Sequence, residues 1–470
     1  MADEEKVLDI VIMAAGKGTR MRSRLPKVLH KLAGKSLLQH VLQAAAALGA
    51  RRIVVVTGHG ADAVEASASA PNLVWARQLP QLGTGHAVQQ ALPFLADGGT
   101  TLILNGDVPL IEADTARALV AACDASRLAL LTVELDDPHG YGRVVRGDPA
   151  GRDANEGGRI HRIVEDKDAD AAERAIREIY TGAMAAPTTA LRRWLGALRN
   201  DNAQHEYYLT DIVAAAAAEV VPIIAAQPRS ATEVLGVNSP AQLAELERVL
   251  QRRQAGELME AGVRLADPAR FDLRGELACG SDVEIDVGCI FEGKVALGDG
   301  VTVGAHCVIR NAIVEAGAAI LPFTHIDGGA SGATVGPGAA VGPFARLRAG
   351  AALGANVHIG NFVEVKNSRL GDGAKANHLA YLGDATVGER VNFGAGSITA
   401  NYDGAAKHRT TIGADAHIGS NCVLVAPVEI GAGATIGGGS TISKDAPAGK
   451  LTLARMRQST LATWTRPTKK

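Results

Sequence analysis

The sequence predicts a chain of two unlike domains: an N-terminal α/β domain with a Rossmann-like, mostly parallel sheet, and a C-terminal parallel β-helix of hexapeptide repeats. Short apolar runs alternate with alanine-rich helical stretches in the first half. Aliphatic residues recur every six positions in the second half. Between the halves, LAELERVLQRRQAGELMEAG has the pattern of a charged amphipathic helix. A length of 470 residues exceeds one ordinary core and agrees with more than one domain. The boundaries expected are 1–239 for the α/β domain, 240–262 for the joining helix, 263–450 for the β-helix and 451–470 for a basic tail that caps or crosses the last coils.

In chain order, residues 8–13 form a short apolar run and read as a buried strand. Ala14-Ala15-Gly16-Lys17-Gly18-Thr19-Arg20-Met21 follows, then Leu25-Pro26-Lys27. A strand, a glycine loop and a helix let backbone N–H groups approach a phosphate or nucleotide closely. The run is neither GxGxxG nor GxxxxGK[ST], so taken alone it also fits a tight βα turn. Residues 53–56 and 101–104 read as further strands, with helical stretches around 37–48 and 115–123. That order predicts ligands at the carboxyl ends of the strands. Asn105-Gly106-Asp107 lies at one such end, where Asp107 fits a divalent-cation ligand or, equally, a turn cap. Gln81-Leu82-Gly83-Thr84-Gly85-His86 and Gly140-Tyr141-Gly142-Arg143 are two more glycine-bearing loops. Glu165 follows a strand, Glu206-Tyr207-Tyr208-Leu209-Thr210-Asp211 opens a helix, and Gly236-Val237-Asn238 closes the domain.

From Ile285 the count of six runs through Phe291, Leu297, Val303 and Ile309, restarts at Val335, at Val387 and at Ile412, and ends at Ile442. Neither a 3.6-residue helix nor a period-2 strand gives this spacing. One short strand per hexad, with a small residue at each corner, does; three hexads per coil give about nine coils. A solenoid has few large cavities, so its sites are expected on loops that leave the repeat or on faces between chains. The clearest insertion is NYDGAAKHRTT, between Thr399 and Ile412, which is expected to project and reach a neighbouring chain. His378 lies in 371–383, where the count lapses, and is expected on a departure from the coil. A lone histidine in a turn is otherwise an ordinary surface residue.

Acids and bases nearly balance, at a net charge of −2, against a bulk nucleic-acid or membrane-surface role. No apolar run reaches transmembrane length, and the acidic start MADEEKVLD lacks a signal-peptide core. Five scattered cysteines without a CxxC suggest free thiols in a reducing cytosol. The 3% aromatic content and 54 glycines fit small aliphatic cores with many tight corners.

The loop from Ala14 to Met21 with Leu25-Pro26-Lys27 resembles the signature of sugar-1-phosphate nucleotidylyltransferases. Joined to the hexads, to residues 81–86, to Asn377-His378-Leu379-Ala380-Tyr381-Leu382-Gly383-Asp384 and to Asn401-Tyr402-Asp403-Gly404, the chain resembles a known family nearly end to end. These are the bifunctional N-acetylglucosamine-1-phosphate uridyltransferase/glucosamine-1-phosphate acetyltransferases. The resemblance implies a left-handed helix, a cytoplasmic homotrimer, small-molecule substrates, and no nucleic-acid or membrane partner. It implies acetyl transfer from acetyl-CoA to glucosamine 1-phosphate, then uridylyl transfer from UTP with release of pyrophosphate. The product, UDP-N-acetylglucosamine, supplies peptidoglycan and lipopolysaccharide precursors.

Residue by residue, the resemblance puts Ala14, Ala15, Gly16, Gln78, Gly83 and Thr84 around the nucleotide, and Arg20 and Lys27 on phosphates. Asp107 and Asn238 would hold one or two Mg²⁺; Asn105, Gly106, Gly142, Glu165 and Asn238 would meet the sugar. The sugar phosphate is already anionic near neutrality, so that reaction needs positioning and charge stabilisation rather than a base. Acetylation needs a neutral amine, and His378 matches the general base. Glu364 is the expected orienter of its imidazole. Arg348, Lys366, Tyr381 and Asn392 match glucosamine-phosphate contacts. Ala395, Asn401, Tyr402, Ser420, Gly438 and Arg455 match acetyl-CoA contacts, with the Ala395 N–H as an oxyanion donor.

The chain departs from the family at Tyr180, where asparagine commonly precedes Thr-Gly; Asn105 stands for a frequent tyrosine and Asn377 for a frequent glycine. Two rival readings are a pyrophosphorylase whose β-helix only assembles or regulates, and a non-enzymatic regulatory subunit. His378 in its motif and the NYDG insertion speak against the first, and the retained Lys27, Asp107 and Asn238 against the second.

Overall fold

The strand Leu8–Ala14 is the centre of the first sheet because its three aliphatic residues Ile10, Val11 and Ile12 are fully shielded on both faces. The computed structural model describes residues 7–147 and 158–467; the acidic start of the chain and the last three residues of the tail lie outside them. Two units emerge, Met1–Leu250 and Gln251–Lys470.

In the first unit the sheet order is Ile223–Ala226, Leu128–Glu134, Glu178–Pro187, Thr100–Asn105, Leu8–Ala14, Arg52–Thr57, Leu73–Arg77. Glu178–Pro187 runs antiparallel to both neighbours, and the other pairings on this path are parallel. The hairpin Gly142–Arg146 and Ile160–Val164 is attached to the same antiparallel strand. From Leu8–Ala14 the chain first builds toward Leu73–Arg77, then crosses to place Thr100–Asn105 on the other side. The carboxyl ends of those two central strands therefore open at the topological switch point, where α/β sheets take their ligands. Helices cover both faces, and the two cores are built from Val11, Val54 and Ile103 on one side and Ile10, Ile12 and Leu102 on the other.

The helix Pro240–Glu260 spans the unit boundary instead of lying beyond it. Leu243, Leu246, Val249 and Leu250 pack with Val237 and Leu110 in the first unit. Ala255 and Leu258 join the core of the second.

The second unit is a parallel β-helix, with one face a ladder of 11 short strands. Nine of its rungs, from Glu284–Ile285 to Thr435–Ile436, match the expected coils; Arg264–Leu265 and Leu451–Thr452 add one at each end. The start of the basic tail is thus a rung of the ladder, paired to Thr435–Ile436. The counted aliphatics point inward: Ile285, Phe291, Val303, Ile309, Val341, Leu347, Ile418 and Ile436 are all buried. Lapses in the count mark coils of other length. The expected departure at His378 is not seen: Lys375–His378 is a regular rung, and its coil closes one residue short, with Ala376 taking the inward place opposite Ile359. All five cysteines are free thiols, three of them buried inside the coils.

Candidate functional sites

At the switch point a cleft of about 430 Å³ is lined by Ala14, Ala15, Gly16, Lys27, Gln78, Gly83, Thr84 and Asp107. Six of them, Ala14, Ala15, Gly16, Gln78, Gly83 and Thr84, are those expected around a nucleotide, Lys27 is one expected on phosphate and Asp107 one expected on Mg²⁺. The loop after the first strand is pinned where it turns: Gln81 Nε2 donates to the Ala15 carbonyl. Buried Gln78 donates to the Gly83 carbonyl at 2.8 Å, and Thr84 Oγ1 accepts from the Leu209 N–H at 2.9 Å. Gly83, at φ 108°, is obligatory, because a Cβ there would stand 2.6 Å from the Tyr207 carbonyl oxygen.

Lys27 reaches across the cleft floor. Its ammonium donates to Asp107 Oδ2, with which it forms an ion pair, and to Asn238 Oδ1 at 3.2 Å. Asp107 comes from the end of Thr100–Asn105, and Asn238 from the closing turn, held there by the Val237 N–H donating to the Asp107 carbonyl at 2.9 Å. One carboxylate and one amide oxygen thus converge on a single cation.

A second hollow of about 180 Å³ shares Thr84, Asn105 and Asp107 with the first and adds Gly142, Glu165, Tyr180 and Asn238. Glu165 Oε1 accepts from Thr210 Oγ1 at 2.9 Å. Burial pushes the Glu165 carboxyl up, and the acidic neighbours Asp211, Asp168 and Asp166 add to this against the Thr210 hydrogen bond. Tyr180 is buried, its hydroxyl has no hydrogen-bond partner among the described residues, and burial holds the phenol neutral. Gly106 packs between strands, its N–H donating to the Met13 carbonyl at 2.9 Å. Arg20 is the outlier: it sits exposed on the turn Thr19–Met21 and lines neither hollow. Lys17, Gln81, Glu206 and Tyr141 line the hollows without having been singled out. All four belong to loops already marked by their glycines or by the helix they open.

On the β-helix, His378 ends the rung Lys375–His378 with its ring exposed, and Nδ1 lies 3.0 Å from Asn361 Oδ1. An amide oxygen only accepts, so this contact calls for the hydrogen on Nδ1, and the neutral tautomer that satisfies it presents the lone pair on Nε2. The expected orienter, Glu364, is engaged elsewhere: it pairs with Arg348 at 2.8 Å and with Arg346 at 3.4 Å. Asn361 takes that place because its rung stacks directly on that of His378. Tyr381 pairs in register with Glu364, and Lys366 with Gly383, on the neighbouring face. The His378 carbonyl accepts from the N–H of Gly396, next to Ala395, at 3.2 Å. Asn392 Nδ2 contacts His417 Nδ1 at 3.2 Å.

The insertion leaves the coil between the strands Ile398–Ala400 and Thr410–Ile412. Asn401 is buried at its base, whereas Tyr402 is exposed and donates to the Gly404 carbonyl at 2.7 Å. Asp403 faces His408 at 2.6 Å; two backbone N–H groups and that histidine hold its carboxyl well below the usual range. Ser420, Gly438 and Arg455 form a separate group: Arg455 Nη1 donates to the Gly438 carbonyl at 2.8 Å, and the Ser420 carbonyl accepts from Gly439 N–H at 2.8 Å. The β-helix thus carries three separate polar groups: His378 with Asn361, the cations Arg348 and Lys366, and Arg455 on the Gly438 carbonyl.

A family model described as a MobA-like NTP transferase domain matches residues 10–265, and one described as bacterial transferase hexapeptide (six repeats) matches residues 409–444. The chain is similar to proteins named "Bifunctional protein GlmU". Identity is 71% to that of Methylibium petroleiphilum, covering 99% of this chain and 100% of that protein. It is 65% to that of Acidovorax sp. strain JS42, with 98% of each covered. It is 58% to that of Azoarcus sp. strain BH72, covering 98% of this chain and 100% of that protein.

Proposed function

The chain belongs to the family of bifunctional GlmU proteins, and from that premise we propose which of its residues perform the two reactions of UDP-N-acetylglucosamine synthesis. It is a uridyltransferase and an acetyltransferase, and its substrates are small molecules.

For uridylyl transfer, the loop from Ala14 to Gly16 with Gln78, Gly83 and Thr84 binds the nucleotide, and Lys27 neutralises phosphate charge. The sugar lies in the adjoining hollow against Asn105, Gly142 and Glu165, with Gly106 in the same turn between the lining residues Asn105 and Asp107. Asp107 and Asn238 fit a Mg²⁺ site, because they already converge on one cation and leave room for phosphate oxygens and water as the other ligands. When bound, the ion supplies electrostatic stabilisation of phosphate charge. What the chain itself does is bring two anions together, the sugar phosphate and the α-phosphate, and hold them in line. Arg20 lies outside both hollows and acts on phosphate only if its turn closes inward.

For acetyl transfer, His378 Nε2 takes the proton from the sugar amine, in the tautomer that Asn361 sets. Arg348 and Lys366 hold the sugar phosphate, Tyr381 and Asn392 the sugar. The N–H of Ala395 stabilises the developing oxyanion. Asn401, Tyr402, Ser420, Gly438 and Arg455 receive acetyl-CoA. The enzyme works as a cytoplasmic homotrimer. In support, His306, Phe323, Phe344 and Phe362 form a stacked ladder with ring centroids 5.0–5.5 Å apart. Phe323, Phe344 and Phe362 are about half exposed, and so is Leu379, adjacent to His378. Such an apolar stripe beside the base is surface for a second copy. No helix among the described residues is long and apolar enough to cross a membrane.

The carrying observation is the presence of two separate constellations, Lys27–Asp107–Asn238 on one unit and Asn361–His378 on the other. The test follows CoA and pyrophosphate separately in glucosamine 1-phosphate, acetyl-CoA, UTP and Mg²⁺. His378→Ala is expected to stop CoA release while pyrophosphate is still released from supplied N-acetylglucosamine 1-phosphate, and Asp107→Ala to do the reverse. Wild-type protein that releases pyrophosphate but never CoA contradicts the acetyltransferase assignment.

A further inference from the structure

Asp384 has no part in the assignments above, yet it stands where the projecting segment meets the phosphate-holding lysine. It is buried, at φ 50°. Its carboxylate accepts from the side-chain amides of Asn367 and Asn401. Lys366 Nζ is 4.0 Å away. Its backbone carbonyl accepts from the Thr410 N–H at 3.2 Å. Asn401 opens the insertion and Thr410 closes it, so one residue grips both ends.

The charges give this grip a purpose. Lys366 faces two other cations, Lys407 and Arg348, and Arg348 already has Glu364 as its partner. Lys407 is the first cause holding the Lys366 ammonium below its ordinary range, and burial is the second; Asp384 is the group that pulls it back up. Burial alone would push the Asp384 carboxyl up. The two amides, with Lys366 and Lys407, outweigh burial and keep it ionised.

We propose that Asp384 is a positioning residue of the acetyl-transfer site: its carboxylate pairs with Lys366 to aim it at the sugar phosphate, and anchors Asn401 at the base of the insertion. This rests on the acetyltransferase reading above. Asp384 touches no substrate; it acts through Lys366 and Asn401. The cationic corner is thereby set before substrate arrives.

The test uses the full chain carrying Asp384→Asn, which keeps the side chain's shape and removes its charge. CoA release is measured as kcat/KM for glucosamine 1-phosphate from about pH 6 to about pH 9. Without the carboxylate, Lys366 loses its proton at lower pH. The alkaline limb should therefore move to lower pH, and KM for the sugar should begin to rise at a lower pH than in wild type, on the alkaline side of the profile. Asn367→Ala removes a neutral partner and keeps the charge, and should leave the limb in place. Pyrophosphate release from supplied N-acetylglucosamine 1-phosphate reports that each variant is folded. A wild-type alkaline limb in Asp384→Asn, at whatever kcat, overturns the proposal, as does an equal shift in Asn367→Ala. If wild type itself releases no CoA, the acetyltransferase reading fails instead.

Discussion

His378 meets an amide oxygen, Asn361 Oδ1, where a carboxylate partner was expected. The difference is chemical. An amide oxygen orients the ring through Nδ1 and places no negative charge beside it. Asn361→Ala is expected to lower CoA release about tenfold to a hundredfold while pyrophosphate release is unaffected. Unchanged acetyl transfer in that variant removes Asn361 from the site. Glu165 offers a test in pH. Burial raises its folded-state pKa, so its effect on stability is neutral only below the ordinary value of about 4.3 and becomes a cost as pH rises through the raised value. Glu165→Gln keeps an oxygen for the Thr210 hydroxyl. Its melting temperature should gain on wild type by a few degrees between about pH 4 and pH 8. A difference that stays flat across that range contradicts burial of charge as the cause. Most of the residues proposed for the two sites sit in short motifs that the sequence displays directly. Asn361 does not: it becomes a neighbour of His378 only once the coil length is known, and that coil is one residue short.

At the scale of elements, two kinds of glycine work differently. Gly83 frees a loop to pass the Tyr207 backbone, whereas the hexad glycines let one coil stack on the next. At Gly336 a Cβ would stand 2.5 Å from the backbone of Gly354, one coil away. Backbone cannot yield as a flexible side chain can. Gly336→Ala should cost on the order of 1–3 kcal/mol. The midpoint at which acetyl transfer is lost in denaturant should fall, while pyrophosphate release keeps its own midpoint. Coincident loss of both activities would mean that the two units unfold together. The hexads were read correctly because one inward residue per strand imposes a period that chain composition cannot hide. The rungs at Arg264–Leu265 and Leu451–Thr452 escaped because they fall outside the six-count.

At the scale of the whole molecule, each unit carries its own chemistry and the two are joined by a diffusible sugar phosphate. Neither His378→Ala nor Asp107→Ala alone should make UDP-N-acetylglucosamine from glucosamine 1-phosphate. A mixture of the two purified variants should, because the acetylated intermediate made by one can reach the other through solution. If the mixture stays inactive although each variant retains its single reaction, the intermediate does not leave the protein. The sequence by itself determined the two architectures. Both are written locally, as the six-residue period of the hexads and as the alternation of short apolar runs with helical stretches. Only the tertiary structure decided which groups meet. Lys27 lies 80 residues from Asp107 and 211 from Asn238, and the sheet's crossover is what puts all three at one strand end. Arg20 fell away from the cleft, Glu364 turned to Arg348, and Asp384 came to lie beside Lys366, each for the same reason. Side-chain partners across strands follow from register, and register is set by the summed packing of the whole core rather than by the residues that use it.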